Sequence, residues 1–142
     1  MPLSESVDDL PDSALRAGFV PREEEETVAR HLLRPCFAPD RESARLLAFD
    51  DFDRLVAAEE AWGGGNSLCD LSPQSWRKMA PANVAGVLMA HNHPSGAPWP
   101  SPADFAATRE AAHLLRLLGI ELIDHLIFVD QGHFSFRRAG LL

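Results

Sequence analysis

The segment "VAGVLMAHNHPSGAPWPSPADFAATREAAHLLRLLG", residues 84–119, decides the predicted fold. It begins with a nearly continuous apolar run that ends in two histidines, and such a run is typical of a central strand with both faces buried. After a proline-rich loop, Ser101 is a favourable N-cap, Pro102 takes the first helical position and Gly119 provides a stop. The segment therefore predicts a buried strand that leads through a loop into a helix of about five turns.

The regions on either side of this segment add strands to the same sheet. Upstream, residues 42–62 are typical of two strands joined by a tight turn at residues 50–53. Downstream, residues 120–130 predict a strand, and a turn at "QG" leads into a returning strand at "HFSFRR", residues 133–138. Together with the helices, these strands predict an α/β fold with a mixed central β-sheet flanked by helices.

Two further helices complete the predicted order of elements. One runs from about Arg22 to Leu33, and its first turn carries the acids that the helix dipole favours there. The other is short and begins at Ser72, a good N-cap that Pro73 follows. The intervening "GGGN", residues 63–66, is interpreted as a flexible turn, because it matches neither of the glycine motifs that bind phosphate.

Length and composition indicate one globular domain with an ordinary core. The chain has 142 residues, of which 46% are hydrophobic and 24% charged, and its net charge is −8. Residues 1–20 are acidic and show little periodicity, so we expect a loosely ordered extension there and a domain over residues 21–142. The N-terminus lacks the pattern of a signal peptide and no apolar run is long enough to span a bilayer, which predicts a cytoplasmic protein without a membrane partner.

Charge and cysteine content argue against two other classes of protein. Nucleic-acid binders usually carry a basic patch, and the nearest equivalent here is the pair Arg137 and Arg138, so DNA or RNA is a disfavoured but open ligand. Cys36 and Cys69 form no CxxC pair, and they therefore predict neither a thiolate zinc site nor a disulfide framework.

The histidines that end the predicted central strand have the spacing of metal ligands. Residues two apart on a strand point to the same side, so His91 and His93 can aim both imidazoles at one point. Asp104 lies in the first turn of the following helix, and the loop is long enough to return its carboxylate to that point. Two imidazoles and one carboxylate form a three-ligand zinc set that leaves the fourth position open to water.

Each of these residues also has a purely structural interpretation. Ser101 and Asp104 have S-x-x-D spacing, which on its own predicts a capping box at the helix start. A single histidine at the end of a strand is more often structural than a ligand. The combination of H-x-H with a carboxylate at a helix start favours metal binding, but the spacing alone leaves the capping interpretation open.

The remaining histidines lack a partner at ligand spacing. His31, His113 and His133 are interpreted as structural or surface residues. His125 lies in a predicted strand next to an aspartate; a packed strand histidine is the favoured interpretation, and support of a metal ligand is the alternative. Trp99, in the loop beside the two strand-end histidines, is interpreted as a loop anchor, with substrate contact as the alternative.

The motif "HNHPSG…PSPAD" resembles the JAMM (MPN-positive) motif, His-x-His-Pro followed by Ser-x-x-Asp, in the form carried by RadC-type proteins. The segments "LLGIELIDHLIF" and "HFSFRRAGLL" are similar to the C-terminal part of RadC proteins, and "RESARLLAFDDFDRLVAAEEAWGG" is similar to their first hairpin. The resemblance covers roughly residues 40–142. It implies the JAMM/MPN fold, whose architecture is like that of cytidine deaminases.

The resemblance also implies a zinc site and a set of catalytic residues. His91, His93 and Asp104 would be the zinc ligands, and Ser101 would stabilise the oxyanion of a tetrahedral intermediate while it caps the helix. JAMM enzymes use a glutamate upstream of the first hairpin strand to take a proton from the attacking water, and Glu42 stands at the matching position. The alternative bases are two glutamates of the second strand, Glu59 and Glu60.

The chain departs from the RadC pattern at two places. It has Pro73-Gln74-Ser75 where RadC proteins have Pro-Arg-Glu, and Gly64-Gly65 where they have Gly-Thr. These departures leave the implied ligands intact and concern contacts that the family makes elsewhere, including contacts with substrate.

Three functions follow from these observations. The leading hypothesis is a zinc-dependent hydrolase that cleaves amide bonds in a peptide or isopeptide-like substrate with a metal-activated water. The alternative is a non-catalytic RadC-like module that binds a protein or nucleic-acid partner, in keeping with the DNA-repair label that RadC proteins often carry. A zinc deaminase is disfavoured, because such sites use H-x-E and P-C-x-x-C, whereas Asn92 and His93 follow His91 here.

Overall fold

The structure is a computed structural model that describes residues 12–60 with their side chains, the backbone of residues 61–63, and residues 83–142. Its helices and strands are, in chain order, α1 (Asp12–Gly18), β1 (Phe19–Pro21), β2 (Ser43–Phe49), β3 (Leu55–Gly63), β4 (Gly86–Asn92), α2 (Pro102–Leu117), β5 (Glu121–Val129) and β6 (Gly132–Ser135). Short helical turns between β1 and β2 cover Arg22–Glu24, Val28–Leu33 and Arg34–Cys36. The described strands form one six-stranded sheet in the order β1-β6-β5-β4-β2-β3. The predicted α/β fold with a mixed central sheet is therefore confirmed.

Strand β4 occupies an interior position in this sheet, between β2 and β5. It pairs antiparallel with β2 and parallel with β5, and all seven of its residues are buried, as its apolar sequence predicts. The parallel pairing requires a crossover, which α2 supplies. Among the described residues, no helix is both long and apolar enough to cross a membrane.

Alternate residues of the central strands pack into two separate apolar layers. The layer on the α2 side includes Ala44, Leu46, Ala48, Val87, Met89, Ala107, Ala111 and Leu115. The layer on the opposite side of the sheet includes Leu33, Leu47, Leu88, Ala90, Leu126 and Phe128. Continuing the alternation along β4 places residues 91 and 93 on the α2 side and residue 92 on the opposite side.

Both predicted hairpins are present. In the turn between β2 and β3, the Asp50 carboxylate accepts hydrogen bonds from the backbone N–H groups of Phe52 and Arg54 at 2.9 and 3.0 Å. Asp53 adopts a left-handed conformation with φ 60°, which aspartate tolerates better than most residues. Strands β5 and β6 pair antiparallel across a turn closed by Val129 and Gly132.

The predicted helix over residues 22–33 is wrong, because the chain leaves helical geometry at Glu25. This residue is extended, with φ −65° and ψ 135°, and the π-helical turn starts only at Val28. The extended backbone turns the buried Glu25 carboxylate inward, where it contacts Arg34 Nη2 at 2.6 Å and His133 Nδ1 at 2.7 Å. A long-range ion cluster thus outweighs the local preference for a helix.

Part of the predicted N-terminal extension has regular structure. Residues 12–20 form α1 and most of the edge strand β1, which pairs antiparallel with β6; the boundary at residue 20 stays a prediction. Residues 1–11 lie outside the described residues. So do the helix predicted at Ser72, most of the predicted "GGGN" turn and both departures from the RadC pattern.

Candidate metal centre

The two histidines at the end of β4 bring their imidazoles together on the α2 side of the sheet. His91 is fully buried and His93 is partly exposed, and their Nε2 atoms lie 3.0 Å apart. The Nδ1 atom of His93 lies 2.9 Å from the carbonyl oxygen of Ala97. Because a carbonyl oxygen only accepts, Nδ1 carries the proton of the neutral ring and Nε2 keeps its lone pair.

Asp104 joins these histidines from the first turn of α2. Its Oδ1 atom lies 3.2 Å from His91 Nε2, and its Oδ2 atom lies 3.2 Å from His93 Nε2. The same residue forms a capping box with Ser101, the N-cap of α2. The capping and the ligand interpretations, which the spacing left open, therefore describe two sets of contacts made by one carboxylate.

The electrostatics of the cluster favour an ionised carboxylate. Burial raises the pKa of Asp104, but hydrogen bonds from the His91 and His93 rings in their protonated forms outweigh burial and hold that pKa far below its usual range. Burial likewise lowers the pKa of His93, and the contact with Asp104 more than offsets it, so that pKa is raised. The cluster thus attracts positive charge to the point where these side chains meet.

Glu42 approaches the same point from the segment just before β2. Its Oε1 atom lies 3.9 Å from the Nε2 atoms of both His91 and His93, and the three residues place ligand atoms within 4.8 Å of one another. The alternative bases, Glu59 and Glu60, lie on β3, which β2 separates from β4. Of the three glutamates considered from the sequence, the structure brings Glu42 to the histidines.

The donor set fits a small divalent ion that prefers tetrahedral coordination. Ligand atoms bound to such an ion at about 2.0–2.1 Å lie about 3.3 Å from one another. The two Nε2 atoms lie 3.0 Å apart, and each lies 3.2 Å from a different oxygen of the Asp104 carboxylate, which is close to that spacing. Glu42 Oε1 lies farther out, 3.9 Å from both Nε2 atoms, and forms a candidate metal-binding group with the two histidines.

A buried chain of hydrogen bonds behind His91 determines which nitrogen of the His91 ring carries a proton. The Thr108 hydroxyl donates to the Asp104 carbonyl oxygen at 2.6 Å and lies 2.5 Å from His125 Nδ1. Since this hydroxyl hydrogen is already used, His125 Nδ1 is the donor to Thr108. The His125 Nε2 atom lies 2.9 Å from His91 Nδ1.

Burial completes the assignment of protons along this chain. Complete burial lowers the pKa of His125 well below its usual value, so its ring is neutral and Nε2 accepts from His91 Nδ1–H. The neutral His91 ring then presents its Nε2 lone pair to the site. The His125 ring also stacks on Phe136 at 4.8 Å, so it is packed as the favoured interpretation expects and also contacts a candidate ligand, His91. The sequence analysis did not identify Thr108 as part of this chain, although Thr108 follows Asp104 by one helical turn on the same face.

The other side chains singled out from the sequence lie away from this cluster or brace it. His31 and His113 are exposed, and His133 is buried against Glu25, in keeping with structural or surface roles. Trp99 packs against Phe19 and Phe134, with ring centroids 6.3 and 6.2 Å away. These contacts favour the interpretation of Trp99 as a loop anchor, although the residue stays 41% exposed.

A cleft of about 680 Å³ opens beside His93 at the carboxyl ends of β4 and β5. Phe37 and Phe128 provide apolar walls, and the cleft extends to Asp130 just beyond β5. The carboxyl ends of adjacent parallel strands are a common place for ligands in α/β sheets. His93 lines this cleft, whereas His91, Asp104 and Glu42 are not among its lining residues, so the cleft reaches the cluster through His93.

The structure shows an α/β protein with two histidines at the end of a central strand and an aspartate at the start of the next helix. Comparison with known proteins supplies its family. The RadC-like JAB domain family matches residues 23–141. The chain therefore belongs to the RadC-like JAB domain family.

Named relatives share this domain. The UPF0758 protein of Coxiella burnetii (strain Dugway 5J108-111) is 39% identical over 97 residues, which is 68% of this chain and 43% of that protein. The UPF0758 protein YkfG of Escherichia coli (strain K12) is 38% identical over 106 residues, 74% of this chain and 67% of that protein. A UPF0758 protein of Nitrosococcus oceani is 36% identical over 118 residues, 82% of this chain and 53% of that protein. The chain thus spans about half the length of several relatives, and their names state no activity.

Proposed function

We propose that this protein is a zinc-dependent hydrolase that cleaves amide bonds in peptides or isopeptide-like linkages. The observation that carries the proposal is the meeting of His91 Nε2 and His93 Nε2 at 3.0 Å, each 3.2 Å from one oxygen of the Asp104 carboxylate. These residues would hold the zinc ion. Bound zinc polarises a carbonyl group and lowers the pKa of a coordinated water to about 7.

Glu42 would handle the proton in this reaction. Its carboxylate oxygen lies 3.9 Å from both histidine Nε2 atoms, so Glu42 would be within hydrogen-bond reach of a water bound beside these histidines. The carboxylate accepts the proton that the attacking water loses and then donates it to the departing amine. Glu42 is partly exposed, with 34% of its side chain accessible, which gives the leaving group access to it.

Ser101 would donate a hydrogen bond to the oxyanion that develops on the attacked carbonyl. Its Oγ atom already accepts the backbone N–H of Asp104 at 3.1 Å. This bond uses a lone pair and leaves the hydroxyl hydrogen free to donate. Capping the helix and stabilising the oxyanion are therefore compatible roles for one hydroxyl group.

The cleft beside His93 supports a peptide substrate. Its volume of about 680 Å³ is within the usual range of ligand sites, and it leads away from the cluster between apolar and arginine side chains. A short extended segment of a protein or peptide would lie in this cleft with its scissile carbonyl next to His93.

Metal analysis combined with hydrolysis of a peptide library tests the proposal. We expect about one zinc per chain after loading, loss of bound zinc in His91→Ala, and cleavage of at least one peptide. Glu42→Gln should keep the metal and slow the cleavage about 10²- to 10⁴-fold. His113→Ala, at an exposed position of α2, is the matched control and should keep both. A protein that takes up no zinc under loading conditions contradicts the proposal.

The same experiments distinguish the alternative of a non-catalytic binding module. A protein that holds zinc, cleaves no peptide and binds DNA with a salt-dependent affinity would favour that alternative, because counterion release makes such binding depend on salt. The net charge of −8 makes us expect weak DNA binding. A cytoplasmic location remains a prediction from the sequence.

A further inference from the structure

Asn92, the residue between the two histidines, holds the backbone on both sides of Glu42. It is buried, with 5% of its surface exposed. Its side-chain oxygen accepts a hydrogen bond from the Ser43 N–H at 2.8 Å. Its side-chain nitrogen donates to the carbonyl oxygens of Arg41 at 2.9 Å and of Ala38 at 3.0 Å. One amide side chain thus binds three backbone groups around Glu42.

These hydrogen bonds engage the two peptide groups that flank Glu42. The Arg41 carbonyl belongs to the peptide group that precedes Glu42, and the Ser43 N–H belongs to the one that follows it. Holding both groups fixes the direction in which the Glu42 side chain leaves the backbone. The partners also allow only one orientation of the amide, because a flipped Asn92 would set its oxygen against two carbonyls and its nitrogen against an N–H.

Glu42 lies outside the sheet ladder, so the backbone around it needs hydrogen bonds from elsewhere. The ladder between β2 and β4 begins with Ala44 opposite His91, so Glu42 lies two residues beyond its end. At the next step along β4, the Asn92 side chain takes the place of a backbone partner for Ser43. Through the Asn92 side chain, the central strand therefore also hydrogen-bonds the residues next to the proposed base, Glu42.

We propose that Asn92 is a positioning residue that holds the Glu42 carboxylate within reach of the reacting water without contributing to metal affinity. The inference rests on the proposed hydrolase function for its kinetic part. Alternation along a strand sets the side chains of residues 91 and 93 on one side and that of residue 92 on the other. In the tripeptide His91-Asn92-His93, the two histidine side chains therefore lie at the cluster, and the asparagine side chain binds the segment that carries the proposed base.

Two variants separate this role from metal binding. Asn92→Ala removes all three hydrogen bonds, and Asn92→Asp keeps the acceptor for Ser43 N–H but places an oxygen against two carbonyls. We expect zinc affinity in chelator competition to stay within about threefold of wild type, because no ligand is altered. Amide hydrogen exchange at Ser43 should become at least about tenfold faster in Asn92→Ala, as expected for a lost hydrogen bond.

Kinetics then test whether the effect passes through Glu42. Asn92→Ala should lower kcat about 10- to 100-fold with little change in KM, part of the 10²- to 10⁴-fold that a positioned base contributes. In a Glu42→Gln background the same substitution should cause no further loss. Leu115→Ala, in the layer on the α2 side, controls for general destabilisation and should leave kcat unchanged.

The outcomes keep the positioning role distinct from the hydrolase proposal. Unchanged exchange at Ser43, an additive kinetic loss in the Glu42→Gln background, or a large loss of zinc affinity in Asn92→Ala would each overturn the role of Asn92. If the wild-type protein cleaves no peptide, the hydrolase proposal fails instead. The nuclear Overhauser contact between the Glu42 side chain and the His93 ring then decides: its loss in Asn92→Ala supports positioning, and its persistence overturns it.

Discussion

Ser101 and Asp104 are hydrogen-bonded to each other in both directions. The Asp104 N–H donates to Ser101 Oγ at 3.1 Å, and the Ser101 N–H donates to Asp104 Oδ2 at 2.8 Å. The same Oδ2 atom lies 3.2 Å from His93 Nε2. The start of α2 and the candidate metal centre therefore share one carboxylate oxygen, so that the helix cap orients the carboxylate for the histidines.

Two substitutions of Ser101 separate its capping role from its proposed catalytic role. Alanine at an N-cap costs about 1 kcal/mol of stability, whereas glycine costs only a few tenths. Both Ser101→Ala and Ser101→Gly remove the hydroxyl and should slow peptide cleavage to a similar extent, about 10²- to 10³-fold. Urea unfolding and kcat measure the two effects. Cleavage by Ser101→Gly at the wild-type rate would show that the hydroxyl has no role in the reaction.

Zinc should stabilise the wild-type fold, and Asp104→Asn should abolish most of that gain. Free zinc at about 1,000 times its dissociation constant adds about 4 kcal/mol to the free energy of unfolding. The amide oxygen that this substitution introduces can still accept from the Ser101 N–H, but the negative charge between the two histidines is gone. Thermal unfolding with and without zinc provides the measurement. An undiminished zinc response in Asp104→Asn would exclude this carboxylate as a ligand.

Thr108→Val should weaken zinc binding although Thr108 does not reach the site. The substitution keeps the shape of the side chain and removes the hydroxyl that accepts from His125 Nδ1. Partners behind a metal ligand typically contribute about 10- to 100-fold in affinity, and Thr108→Ser, which keeps the hydroxyl, should retain most of it. Nitrogen-15 spectra of the metal-free protein should show His91 protonated at Nδ1. A proton on His91 Nε2 instead would contradict the assigned chain.

The buried cluster of Glu25, Arg34 and His133 should make stability fall in acid. Burial raises the pKa of Glu25, but hydrogen bonds from Arg34 and His133 outweigh it, so that pKa lies below its ordinary value of 4.5. A lowered pKa in the folded state stabilises the fold above about pH 4.5, and this contribution is lost as the pH falls through the folded-state value.

The test compares Glu25→Gln with Glu24→Gln, a substitution of the exposed preceding residue. At pH 7, Glu25→Gln should lose about 3 kcal/mol, as expected when one partner of a buried ion pair is removed. The difference from wild type should shrink as the pH is lowered, whereas Glu24→Gln should stay within about 0.5 kcal/mol throughout. Chemical unfolding between pH 3 and pH 7 measures both. A difference that does not depend on pH would contradict the assigned role of the carboxylate.

Local sequence signals were sufficient where the structure depends on neighbours along the chain. The apolar run before His91 predicts the central strand, the alternation of a strand predicts that His91 and His93 face one way, and Ser101 with Pro102 predicts the start of α2. These inferences succeed because side-chain direction and helix capping are decided within a few residues. They place three of the four residues that meet at the candidate metal centre.

Features that depend on contacts between distant segments could not be predicted from the spacing of residues along the sequence. Glu42 meets the histidines because β2 pairs with β4 in the register that sets Ala44 opposite His91, and its assignment came from the family resemblance. The break at Glu25 depends on His133, 108 positions away. His125 and Thr108 meet only because β5 lies beside β4 and α2 packs over both.

Because β4 is an interior strand, the surroundings of the two histidines tolerate fewer substitutions than the surroundings of Glu42. An interior strand opens only with the whole fold, so most changes around His91 and His93 put the entire domain at risk. Residues 38–42 lie outside the ladder and are attached to β4 through the side chain of Asn92. Mutational libraries confined to residues 38–42 should therefore vary turnover while folding and metal content stay constant, which makes this segment the natural starting point for directed evolution.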